Sequence, residues 1–99
     1  MQEMLDEAFD SGAADDRYIS DIMSAMFIND SAVVGRYYNE CTSYYQHDNK
    51  YWAVPGNREA EIYANLGAIM TSQNRTSVQF VEKWFPSVTS NFEKRFDLL

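Results

Sequence analysis

The residues able to do chemistry in this chain are few and scattered. His47 is the only histidine and Cys41 the only cysteine. Any Ser-His-Asp or Cys-His site would have to be built on that one imidazole. Cys41 lies six residues from it in a stretch without helical period, and no basic partner sits nearby in sequence to activate the thiol. A cysteine in that setting reads as a small buried hydrophobe. Zinc sites draw on three or four ligands, and one His with one Cys is too few. Glu59 and Glu61 stand two apart in a helical stretch, so they point in different directions and cannot form a close carboxylate pair. Both read as exposed acids of a first turn. No His-Glu-x-x-His, phosphate-binding glycine loop or dinucleotide fingerprint occurs. The expectation is a chain that is not an enzyme, with no catalytic set, no cofactor and no metal. His47 and Glu61 are the weak metal candidates.

Composition narrows the class further. The chain has 99 residues, 45% of them hydrophobic and 15% aromatic, which suits one packed domain over residues 1–99. The single cysteine excludes an intrachain disulfide and fits a reducing compartment. The net charge of −7 is unevenly placed. Residues 1–30 hold Glu3, Asp6, Glu7, Asp10, Asp15, Asp16, Asp21 and Asp30 against Arg17 alone, while the remainder is balanced. An acidic face repels phosphate, so no nucleic acid is expected there; it is either a solvated surface or a face toward a basic partner. No segment nears the roughly 20 apolar residues that span a bilayer. The acidic, amphipathic start has neither the basic end nor the apolar block of a signal peptide, so a cytoplasmic protein is expected, with no membrane partner.

The elements that must position these groups follow from the apolar period. Met4, Leu5, Ala8 and Phe9 form a helical stripe from Met1 to about Asp10, which Gly12 ends. Asp15 or Asp16 can cap a second helix, about Arg17 to Ile28, with Ile19, Ile22, Met23, Met26 and Phe27 on one face. Residues 32–38 (Ala-Val-Val-Gly-Arg-Tyr-Tyr) are β-prone, and Gly35 allows a bend or bulge. An irregular loop rich in Tyr44, Tyr45, Tyr51 and Trp52 follows, closed by Pro55-Gly56. Asn57 can cap a third helix that buries Ile62, Leu66, Ile69 and Met70. Thr76-Ser77-Val78-Gln79 has capping-box spacing and opens a fourth that buries Val78, Val81, Trp84 and Phe85. Pro86 suits the first turn of a fifth, which buries Val88, Phe92, Phe96 and Leu99. The expected fold class is α+β, mainly α: about five short helices around one small β-strand or hairpin.

Several of these stretches, taken in order, resemble a known family. Residues 20–26 (Ser-Asp-Ile-Met-Ser-Ala-Met) precede the β-prone segment. His47-Asp48-Asn49-Lys50-Tyr51-Trp52 and Arg58-Glu59-Ala60-Glu61-Ile62-Tyr63-Ala64-Asn65 follow, then Phe80-Val81-Glu82-Lys83-Trp84-Phe85-Pro86. This order is similar to the C-terminal region of phage minor head (head-morphogenesis) proteins, which itself resembles the back half of a zincin-type metallopeptidase. The resemblance spans about residues 19–97. It implies that Glu61, in Glu61-Ile62-Tyr63-Ala64, stands at the third metal-ligand position, and that His47 and Tyr51-Trp52 stand in the loop before it. The upstream His-Glu-x-x-His helix is missing, so the chain would be a C-terminal fragment of a longer protein or a degenerate version. The resemblance also adds the virion as a location.

Three functions follow as expectations. The first is a noncatalytic phage-derived structural or assembly module acting through protein contacts with head or portal components. Tyr44, Tyr45, Tyr51 and Trp52 are its candidate interaction residues, because Tyr and Trp are favoured interface anchors; the alternative for Trp52 is core packing. The second is a small acidic regulatory or inhibitory protein whose first third faces a basic target. The third is the remnant of a zinc peptidase completed by another chain. A homo-oligomer stays open in all three.

Overall fold

Helix boundaries in this chain are set by short polar side chains and by glycine. The computed structural model describes the backbone of residues 2–40 and 49–96 and the side-chain surroundings of residues 2–40 and 50–94. The first helix, α1 (Gln2–Asp10), stops where Gly12 takes the left-handed conformation at φ 87°, which a side chain would resist. A 3₁₀ turn over Ala13–Asp15 leads to α2 (Arg17–Met26), whose N-cap is Asp16. Next come α3 (Ser31–Glu40), the short α4 (Asn49–Ala53) and α5 (Asn57–Thr71). Gly56, at φ 88°, precedes α5, so Asn57 is its first residue rather than its cap. Asn74 caps α6 (Arg75–Trp84) by accepting from the Ser77 amide, so the cap lies two residues before the Thr76 expected from the capping-box spacing. Pro86 opens α7 (Pro86–Phe96), as its missing N–H and fixed φ favour.

The core lies among α1, α2, α5 and α6, with Val33 and Tyr37 of α3 sealing one side. Leu5, Ile19, Ile22, Met23, Leu66, Ile69 and Val81 are all but completely buried, and burying each such side chain contributes roughly 1.5–3 kcal/mol. The most extensive helix–helix contact is between α2 and α5. Helix α2 also buries the small side chains of Ser20, Ser24 and Ala25. Helices α2 and α6 also meet at both ends. Their N-caps are bonded to each other through Asp16, Asn74 and Ser77, and the residues that close them, Phe27 and Phe85, have rings 6.5 Å apart. The two ten-residue helices therefore run side by side in the same direction.

The expected β element is overturned. Among the described residues there is no strand, and the fold class is all-α rather than α+β. Residues 31–40 form α3 because Asp30 caps them: its Oδ1 accepts from the amides of Ala32 at 3.0 Å and Val33 at 3.3 Å. Val33 and Tyr37 then fall four apart on one buried face, so tertiary burial outweighs the β preference of the valines and tyrosines. Part of the expected irregular loop is helix too, since α4 covers Asn49–Ala53. Cys41, Tyr44, Tyr45, His47 and Leu99 lie outside the described residues, as do the surroundings of Phe96.

Candidate functional site

Of the residues singled out in sequence, the structure brings three together where α4 meets α5. The Tyr51 hydroxyl donates to Glu61 Oε1 at 2.8 Å, and Asn65 Nδ2 donates to Glu61 Oε2 at 3.1 Å. Asn57 Nδ2 donates to the Tyr51 carbonyl at 3.0 Å, which ties α4 to the first turn of α5. Trp52 stands edge-on to Tyr51, with ring centroids 5.0 Å apart, and is only 9% exposed. Tyr51 is half-buried. Trp52 is thus buried beside Tyr51, and the cluster braces two helices. Glu59 is exposed in the first turn of α5, as expected, whereas Glu61 lies beyond that turn and is half-buried rather than exposed.

Chemically, the Glu61 carboxylate has both oxygens already accepting hydrogen bonds from within the fold. Among the described residues no three His, Cys, Asp or Glu side chains gather as a metal would need.

Two further carboxylates, those of Asp6 and Glu7, also join elements. Asp6 on α1 meets Arg36 on α3 at 2.6 Å, and the Arg36 guanidinium also lies over the Phe9 ring at 4.6 Å. That guanidinium holds the Asp6 carboxyl below the usual carboxylate range, and Asp6 in turn raises Arg36. Glu7 accepts from the Lys83 ammonium and the Trp84 indole N–H, which lower its carboxyl in that order. Arg58, at the second position of α5, donates to the Ala25 carbonyl at 2.7 Å and the Met26 carbonyl at 2.8 Å. It thereby satisfies two of the carbonyls left open at the C-terminus of α2.

Asp16 is the residue sequence reasoning most undervalued. Its Oδ1 accepts from the Tyr18 amide at 2.9 Å, as a cap should. Its Oδ2 reaches across to α6 and accepts from the Ser77 hydroxyl at 2.6 Å and from Asn74 Nδ2 at 3.2 Å. Ser77 is fully buried. The cap at Asp16 was legible, but the partner 61 residues away was not.

Among the described residues three large apolar side chains are exposed: Tyr38 at 77%, Val54 at 50% and Tyr18 at 42%. Of these Tyr38 is the most open, and it follows the buried Tyr37 on α3. No described helix is long and apolar enough to cross a membrane.

Comparison with known proteins gives no relative: no family model, curated protein or solved structure matches this chain.

Proposed function

We propose that this chain is a noncatalytic module that acts through protein–protein contacts, in the head-assembly setting implied by its likeness to phage minor head proteins. The observation that carries the reading is the way polar and aromatic side chains are used. Asp16, Asp6, Glu7 and Glu61 each hold two helices together or brace one end of a helix. These carboxylates are engaged within the fold, which fits a structural use of them. Among the described residues the large aromatic left most exposed is Tyr38. Tyrosine combines apolar area with a polar tip and is favoured as an interface anchor, so Tyr38 is the anchor of this reading.

The test is affinity capture with the purified chain from lysate of the source cell, with and without prophage induction, read by mass spectrometry. Recovery of portal or capsid proteins from induced cells alone is the expected result. Recovery of one basic enzyme, released by moderate salt, would overturn it in favour of a small acidic inhibitor. That second reading draws on the outward-facing Glu3, Asp10 and Asp15 of the acidic first third. The remnant-peptidase reading has no comparable support, because both Glu61 oxygens are engaged within the fold.

A further inference from the structure

We draw no further inference here: the strongest candidate, the shallow groove of about 280 Å³ between α1 and α6 that Phe80, Ser11, Thr76 and Gln79 line, has its two charged walls, Glu7 and Lys83, paired with each other, and nothing in the structure shows what would occupy it.

Discussion

The Ser77 hydroxyl of α6 donates to the Asp16 carboxylate of α2 at 2.6 Å, so one side chain caps its own helix and anchors the start of another. With Asn74 donating to the same oxygen, two helix N-termini share a single acceptor. This junction and the Phe27–Phe85 contact at the opposite ends fix α6 alongside α2.

Removing the shared acceptor should therefore cost more than an ordinary cap. Asp16→Ala loses the cap, worth about 1 kcal/mol, and leaves the buried Ser77 hydroxyl without its acceptor, worth roughly 1–2 kcal/mol more. Asp16→Asn keeps an oxygen for the Tyr18 amide, but its amide nitrogen cannot accept from Ser77. Urea unfolding should rank wild type above Asn and Asn above Ala. Equal midpoints would refute the junction.

Two glycines should respond with opposite sign. Gly35 lies inside α3 with open space around the position of an added Cβ. Gly35→Ala should then stabilise the protein by about 0.5–1 kcal/mol. At Gly12, where φ is 87°, alanine should destabilise by about 1 kcal/mol or more. A destabilising Gly35→Ala would speak for the bend or bulge first expected there and against the helix.

Acid should loosen α1. The folded-state values of Asp6 and Glu7 are lowered by their Arg36 and Lys83 partners. A lowered folded value means the contribution is fully present above the unfolded value, near pH 4, and is lost as pH falls through the folded one. Thermal melts from pH 7 to pH 2 should show the melting temperature falling below about pH 4. Asp6→Asn and Glu7→Gln together should flatten that limb, and high salt should shrink it. An unchanged acid limb in the double variant would contradict the two pairings.

Arg58 tests the link between α2 and α5. Its fork satisfies two carbonyls at once, which a lysine ammonium cannot reproduce in the same geometry. Arg58→Lys should lose about half of the roughly 1–2 kcal/mol that Arg58→Ala loses. Chemical denaturation of the two variants distinguishes this from a merely solvated arginine, for which both would match wild type.

Much of the helical pattern was legible because each stripe lies within one window: Met4, Leu5 and Ala8, or Ile19, Ile22 and Met23, are buried where the period puts them. Helix α3 was misread because Val33, Val34, Tyr37 and Tyr38 carry strand preference. The competing signal, Asp30 as N-cap with Val33 and Tyr37 four apart, was present but outweighed in a propensity reading. Helix α4 is five residues long, too short to show a period. The polar junctions were out of reach: Asp16 with Ser77 and Asp6 with Arg36 join side chains 61 and 30 residues apart. At the aromatic stretch, the sequence left Trp52 open between core and interface, and its burial among neighbours is a property of the assembled fold.

The most direct test of the contact reading repeats the capture experiment with Tyr38→Ala beside Trp52→Ala. Replacing the 77% exposed Tyr38 should change stability by no more than about 0.5 kcal/mol, while replacing the buried Trp52 should cost roughly 3–5 kcal/mol. The account predicts that Tyr38→Ala keeps its helical circular dichroism and urea midpoint yet recovers roughly tenfold less partner, the loss expected of a modest anchor. Undiminished capture by folded Tyr38→Ala, or a folded but non-binding Trp52→Ala, would contradict it.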